Sequence, residues 1–461
     1  MPELVWSGKY DADGSRRQPR LPVAALRTVE AGGVSPADIA PVPAPANRLI
    51  AGETQQALPA LLAELAGQVN LVYIDPPFAT GLDFTSTVTL PGSERHIRRT
   101  AYRDAWESHD DYLRWMDETL MLLRELLTDD GALLLHCDWR AEGMLRLLLD
   151  DIFGAENFRN AIVWSYRSGG ASRRESLPRK HDTILLYARS PRFRIRPQIE
   201  RQYLRKPFMG SACDARGRHY VDTLLRDVLE GEMTCVGTDG ELVRYNVRPV
   251  LNLSRDRLDY PTQKPLDLLR LLLTLASDPD DLVLDCCCGS GATVHAAESL
   301  GRRWIAADAS PLAIQTTRKR LLALAAPRSF VVQRPIQEGE MQVIADAANL
   351  TFAVERSGRA VTVRLTGYTP PPGSILTSDI SSAMDDPTDG LHYLDSWSVD
   401  WAYDGTTFHH RTHAARARNG ARELPAALTC TYADPGCYTI AVHVVDFAAH
   451  ETTQTVEVTV E

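Results

Sequence analysis

Cysteine is scarce in this chain: there are 8 in 461 residues, three of them adjacent at Cys286-Cys287-Cys288, with no Cys-x-x-Cys pair. That usage excludes a disulfide scaffold and argues against a zinc site, since three consecutive cysteines do not easily converge on one ion. It fits a reduced, cytoplasmic protein without a metal. Long apolar runs are also missing, and no segment approaches the roughly 20 residues of a membrane-spanning helix. The start, Met1 to Trp6, has no basic stretch followed by an apolar core, so no signal peptide is expected. No lysine occurs from Phe330 onward.

Positive charge is sparse overall but concentrated. The net charge is −10, yet between Arg159 and Arg218 there are 15 Lys and Arg against 4 Asp and Glu, a local +11 that leaves −21 for the rest. A basic block in an acidic chain is an electrostatic footprint for a polyanion. Residues 330–461 carry 8 Arg against 17 Asp and Glu, net −9, which argues against broad nucleic-acid contact there.

Composition divides the chain into three. Residues 1–46 read as an arm, with a linker over 35–45 that holds four prolines. Residues 47–326 alternate apolar strand-like runs with helical periodicity, the pattern of an α/β sheet. Within them, 190–255 has weak periodicity and much charge. Residues 330–461 alternate at period two between Gly, Pro and Asp turns and read as an all-β antiparallel sandwich. Its His409, His410 and His413 read as surface residues.

Two stretches carry chemistry. Val69 to Ile74 predicts a buried strand that stops at Asp75-Pro76-Pro77-Phe78, because two prolines cannot continue a sheet ladder. A carboxylate, a stiff backbone and an aromatic ring thus gather at a strand's carboxyl end, where ligands bind in open α/β sheets. Leu282 to Asp285 predicts a second strand, and Gly289-Ser290-Gly291 turns it into a helix. A third, Trp304 to Asp308, ends in an acid 23 residues after Asp285, a placement that suits ribose hydroxyls. Neither a three-glycine dinucleotide fingerprint nor the Gly-Lys-Ser/Thr of a phosphate loop is present at this turn. The polar stretch from Ala79 to Arg103 reads as a long functional loop. His136, at the end of the strand Ala132 to Cys137, reads as structural.

Asp75-Pro76-Pro77-Phe78 resembles the catalytic tetrapeptide, Asp/Asn/Ser-Pro-Pro-aromatic, of the amino-methyltransferases that modify DNA bases with S-adenosylmethionine. Thr262-Gln263-Lys264-Pro265-Leu266 resembles the segment that holds the methionine end of the donor, and Asp285-x-x-x-Gly289-Ser290-Gly291 resembles the donor loop, with cysteines where the family has Asp-Pro-Phe. Gly52-Glu53 stands where the family has Gly-Asp. The order of these motifs is that of the permuted β group, which includes modification subunits of restriction systems. The resemblance implies a Rossmann-like methyltransferase sheet with a target-recognition segment inserted at 190–255. The run Tyr432 to Ile440 resembles an immunoglobulin-like or polycystic-kidney-disease-type module.

The resemblance also implies roles. Asp75, Pro76, Pro77 and Phe78 would hold a flipped base. Glu53, Thr262, Lys264, Asp285, Gly289, Ser290, Gly291 and Asp308 would hold S-adenosylmethionine, with Lys264 pairing with its carboxylate. Arg173, Arg174, Arg179 and Lys180 on a Gly/Arg loop suit phosphates. Arg192, Arg194, Arg196, Arg201, Arg205 and Lys206 suit double-stranded DNA through the recognition segment. An aspartate in the tetrapeptide favours N6 of adenine, with N4 of cytosine as the alternative. A non-catalytic DNA- or partner-binding protein is the competing class. A homodimer and a restriction or defence-system partner are expectations from the family.

Overall fold

A computed structural model describes every residue except 1–2, 22–24, 34–46, 93–94, 168–176, 238, 252–253, 255, 259, 326, 337–347, 377–389 and 417–422. At its centre, Val69–Ile74 lies between Leu127–Cys137 and Leu282–Asp285 and runs parallel to both. Leu282–Asp285 in turn runs parallel to Arg303–Asp308. Segments more than 200 residues apart thereby become neighbours, and the ends of all three predicted motif strands meet at one edge. Alternation along Val69–Ile74 explains its burial. Leu71 and Tyr73 face one apolar layer, with the helices Leu266–Ala276 and Ala292–Ser299, while Val72 and Ile74 face the other, with Thr54–Leu65, His109–Leu126 and Glu142–Phe153. In His109–Leu126, capped by the Ser108 hydroxyl, Tyr112, Met116, Leu120 and Leu123 recur at helical spacing and are fully buried. Each contributes about 1.5–3 kcal/mol of apolar burial.

The sheet continues well beyond these strands. Eleven are paired side by side: Val228–Glu230, Phe158–Ser165, His181–Ala188, Leu127–Cys137, Val69–Ile74, Leu282–Asp285, Arg303–Asp308, Asn47–Ala51, Phe330–Ile336, Ala25–Gly32 and Phe408–His409. Three sequence expectations change here. The arm over 1–46 contributes the strand Ala25–Gly32, antiparallel to Phe330–Ile336. Phe330–Ile336, assigned to the sandwich, instead runs parallel to Asn47–Ala51 in the main sheet. The reason is packing: Phe330 and Val332 are buried, and a Cβ on Gly32 would overlap the Phe330 ring. His409 and His410 are buried at the far edge of the same sheet, and only His413 is exposed. The proline linker over 35–45 falls almost wholly outside the described residues.

The stretch from Ala79 to Arg103 is no open loop. It forms the antiparallel hairpin Leu82–Thr89/His96–Asp104. In the weakly periodic segment, Ile199–Leu204, Ala212–Cys213, His219–Leu224, Glu232–Val236 and Leu242–Asn246 pair into an antiparallel sheet, while Val228–Glu230 joins the main one. After 347 come two antiparallel sheets, of three and four strands. They share a core that includes Trp397, Trp401, Val442 and Val444.

This C-terminal region is joined to the main sheet by buried charge. Arg318, on the helix Pro311–Leu322, donates to both oxygens of Glu30 at 2.7 and 2.8 Å, and its Nη2 lies 2.9 Å from Glu451 Oε1. His410 Nε2 lies 2.8 Å from Glu30 Oε2, and Arg334 reaches Glu451 at 2.7 Å. Burial pushes the Glu30 carboxyl up, but the charge of Arg318 and the hydrogen bond from His410 outweigh it and hold the group well below the usual range. On the same helix, Lys319 Nζ and Gln315 Nε2 reach Asp395 at 2.6 and 3.0 Å. Ligand-type atoms of Glu30, His443 and Glu451 do lie within 4.8 Å of one another. The Arg318 guanidinium already compensates both carboxylates, so the cluster is an ion-pair network.

Candidate functional site

At the carboxyl edge of the central strands lies a cavity of about 680 Å³. Glu53, Asp75, Pro76, Pro77, Phe78, Thr262, Lys264, Asp285, Gly289, Ser290 and Asp308 all line it. Gly291 does not. It caps the helix Ala292–Ser299 with φ 70°, and a Cβ there would lie 2.5 Å from Thr317 Oγ1.

Asp75 leaves the sheet where Pro76 and Pro77 end the ladder. Lys264 Nζ donates to its Oδ2 at 2.5 Å, and both side chains are largely shielded from water. Lys264, expected to meet a ligand carboxylate, pairs here with Asp75, 189 residues away in the chain. Phe78 stacks on the buried His136 ring, with centroids 6.2 Å apart and planes at 20°. Beneath them runs a hydrogen-bonded floor that the sequence did not reveal. Tyr73 Oη lies 3.0 Å from His136 Nδ1, His136 Nε2 lies 3.2 Å from Asp182 Oδ2, and Tyr166 donates to Asp182 Oδ1 at 3.0 Å. His136 thus has a positioning role. Burial pushes Asp182 up, but the hydrogen bond and charge of His136, with Lys264 and Tyr166, hold it below its ordinary value. Tyr73 shares its strand with Asn70, and Asp182 stands between His181 and Thr183, so their pairing with His136 is set by tertiary contact.

On the other side, the glycine turn is tied to the acids around it. Gly289 N donates to Asp308 Oδ2 at 2.8 Å, Ser310 N donates to Asp308 Oδ1 at 2.9 Å, and Cys287 N donates to Asp285 Oδ1 at 3.0 Å. Gly289 has φ 50°, and a Cβ there would press to 3.1 Å from the Tyr260 ring. Burial pushes the Asp308 carboxyl up to about 6 and that of Asp285 up to about 7. Glu53 is exposed and adds negative charge beside Asp308. A turn where the backbone can be approached closely, beside carboxyls that burial raises toward protonation, fits a ligand that brings hydroxyl donors or a positive charge to them. Thr262 has a left-handed backbone with φ 55°, and Tyr102 Oη lies 3.2 Å from its hydroxyl.

The sequence reading passed over the role of Asp104. Its carboxylate is 1% exposed and accepts the backbone amides of Phe78, Ala79 and Thr80 at 3.1, 3.0 and 3.0 Å. It also accepts the Thr80 hydroxyl at 2.7 Å and the Trp106 indole at 3.2 Å. Ala79 sits in the left-handed region with φ 56°, a conformation that costs about 1–2 kcal/mol for a residue with a Cβ. Charge-assisted bonds to three successive amides offset that cost.

The basic block is partly neutralised within the fold. Arg192 pairs with Asp129 at 2.8 Å, Arg196 with Asp278 at 2.6 Å, and Arg201 with Asp222 at 2.8 and 2.7 Å. Arg194 donates to the carbonyls of Pro191 and Phe193 at 2.6 and 2.9 Å. Arg179 lies over the Trp139 ring at 3.4 Å, and the Lys180 carbonyl accepts the Tyr166 amide at 2.9 Å. Arg205 and Lys206 are exposed on a turn shared with the exposed Phe208 and Met209, and no ion pair engages either among the described residues. Arg173 and Arg174 lie outside the described residues.

A family model described as DNA methylase, of the N6/N4 type, matches residues 69–319. The type II methyltransferase M.EcaI of Enterobacter cloacae is 29% identical over 340 residues, covering 63% of this chain and 73% of that protein. The StyLTI Mod subunit of a type III restriction-modification enzyme, from Salmonella typhimurium, is 23% identical over 55% of this chain, which spans only 50% of the subunit's length. Among solved structures, the PvuII DNA methyltransferase (cytosine-N4-specific) is 17% identical, with a TM-score of 0.39 over 60% of this chain and 88% of that one.

Proposed function

Because the chain belongs to the N6/N4 family of DNA methylases, we propose that it methylates the exocyclic N6 amine of adenine in double-stranded DNA, with the base flipped out of the helix. S-adenosylmethionine is the cofactor and supplies an electrophilic sulfonium methyl when bound. The observation that carries the reading is the Asp75 carboxylate at the end of the central strand, in one cavity with the glycine turn and the buried Asp285 and Asp308.

An amine conjugated to a purine ring is a poor nucleophile. Asp75 and the Pro76 carbonyl accept its two hydrogens and turn its lone pair toward the methyl. The two prolines fix that carbonyl, because their φ angles are locked. Lys264 engages Asp75 Oδ2 and keeps the carboxylate in register, leaving Oδ1 for the amine. As its lone pair takes the methyl and the donor's thioether leaves, the nitrogen becomes cationic and must lose a proton, for which Asp75 is the acceptor. Phe78, backed by His136, gives the flipped ring a stacking surface worth about 1–3 kcal/mol. Glu53, Asp285, Gly289, Ser290 and Asp308 would hold the adenosyl part of the donor and Thr262 its methionine end. Positioning and carboxylate electrostatics supply the acceleration, with no covalent intermediate on the chain. Adenine is favoured over cytosine by the aspartate of the tetrapeptide.

Mass spectrometry of nucleosides tests the reading directly. Plasmid DNA propagated with this chain in a host lacking its own methylases should contain N6-methyladenine. N4-methylcytosine would keep the chemistry and change the base; the absence of both modified bases would refute the reading. A restriction-system partner, and a second copy of this chain, belong to the same proposal.

The DNA surface has its own test. Arg205 and Lys206, exposed cations with no ion pair among the described residues, should each contribute about one unit to the slope of log affinity against log salt. Replacing both by alanine should weaken binding alike on all sequences and flatten that slope. An unchanged slope would move the DNA contact elsewhere.

A further inference from the structure

We infer that the C-terminal β region is a working part of the methyl-transfer site, because it positions the exit of the catalytic tetrapeptide through the hairpin Leu82–Thr89/His96–Asp104. This rests on the function proposed above and assigns a task to a region that the matched family segment, 69–319, does not include.

The hairpin has two ends with different partners. Its base is Asp104, which accepts the amides of Phe78, Ala79 and Thr80, while its own carbonyl accepts the Gly81 amide at 2.9 Å. Its outer end belongs to the C-terminal core. Val88, Leu90 and Ile97 are buried in the same cluster as Trp397 and Val442. Arg99, 6% exposed, donates to the Phe447 carbonyl at 2.8 Å and, across the hairpin, to the Ser86 hydroxyl at 3.2 Å. A two-stranded hairpin is at best marginally stable alone in water, so its order depends on what covers it. What covers its outer end is the C-terminal region. What it delivers at its base is the acceptor that holds Ala79 in a left-handed conformation one residue past Phe78.

A second grip acts on the other half of the cavity. The helix Pro311–Leu322 is capped by Ser310, which follows Asp308 by two residues. The C-terminal Asp395 holds this helix through Lys319 and Gln315. One body thus braces both the loop that presents the base-holding residues and the helix behind the donor-binding acid. Asp104 and Arg99 are positioning residues in this scheme, since neither needs to touch a substrate.

Hydrogen exchange on the full chain tests the tether without relying on activity. Arg99→Met removes the link to Phe447, and Ile97→Ala trims the outer end more gently. In either variant the amides of Phe78, Ala79 and Thr80 should exchange at least about tenfold faster than in the wild type, while those of Leu127–Cys137 keep their rates. Arg99→Lys, which retains a cation able to reach the same carbonyl, should restore slow exchange. Single-turnover methylation at saturating donor should fall by about 10²-fold in Arg99→Met with the KM for donor unchanged, the cost of a misplaced reacting group. Wild-type exchange at 78–80 in both variants would overturn the tether, as would a rise shared equally by Leu127–Cys137. A wild-type chain that methylates no DNA would refute the proposed function alone, because the exchange result stands independently.

Discussion

Replacing Asp75 by alanine should abolish methyl transfer, with a loss of at least about 10²–10³-fold, while affinity for S-adenosylmethionine changes little. The magnitude is that of removing one preorganised electrostatic partner from a shielded site. Two features make this the most demanding substitution. Asp75 sits where the central strand ends, so its carboxylate is fixed by the sheet as well as by its own rotamer. It is also the partner of Lys264, whose ammonium at 2.5 Å would be left in the cavity without its counter-charge. Asp75→Asn separates shape from charge: the amide fills the same space but is a weaker acceptor and offers a hydrogen where the proton must go. The double variant Asp75→Ala, Lys264→Met removes the unmatched cation and shows how much of any change in donor affinity comes from it. Calorimetric titration of the donor beside single-turnover rates decides the matter. Parallel loss of binding and rate in the single and double variants would mean that Asp75 serves the donor rather than the base.

Arg318→Met should cost about 3–5 kcal/mol of stability, because it leaves the buried Glu30 and the half-buried Glu451 without their shared cation. Glu30 and Glu451 both face the guanidinium at 2.7 to 2.9 Å, and Arg318 is 3% exposed. The effect depends on pH in a definite direction. In the wild type the Glu30 carboxyl lies below its ordinary 4.5, held there against burial by Arg318 and His410. Its stabilisation is therefore complete above about pH 4.5 and is lost as pH falls toward the folded value. The stability gap between variant and wild type should be widest at neutral pH and should begin to narrow already above about pH 4.5, because burial without the guanidinium raises the stranded carboxyls and they take up protons before those of the wild type do. Thermal melts at pH 7.5 and pH 4 read both statements. Equal melting of the two proteins at neutral pH would show that water, not Arg318, compensates these acids.

What could be read from the chain and what could not differ for physical reasons. Asp75-Pro76-Pro77-Phe78 and the Gly289-Ser290-Gly291 turn announce themselves, because proline and glycine constrain the backbone locally and the flanking apolar runs are short and unbroken. The partners of these motifs are set by tertiary contact. Lys264 reaches Asp75 across 189 residues of sequence, and Tyr73 and Asp182 meet His136 from strands 63 and 46 positions away. The hairpin's alternating pattern is legible, but what covers it is not, because its inward residues Val88, Leu90 and Ile97 find their core more than 250 positions later. The strand Ala25–Gly32 lacks an apolar run, since what it buries is Glu30 against Arg318. A buried ion pair leaves no periodicity to detect.

One consequence follows from the unbroken sheet that runs from Asn47–Ala51 through Phe330–Ile336 to Ala25–Gly32. A fragment ended at residue 326, where the methyltransferase resemblance stops, would lose Phe330–Ile336. Leu49 and Ile50, both fully buried, would then lie on a bare sheet margin with open amides and carbonyls. Such a margin pairs readily with its own kind. The shortened chain would be a template for self-association, so the apparent domain boundary is a poor place to cut.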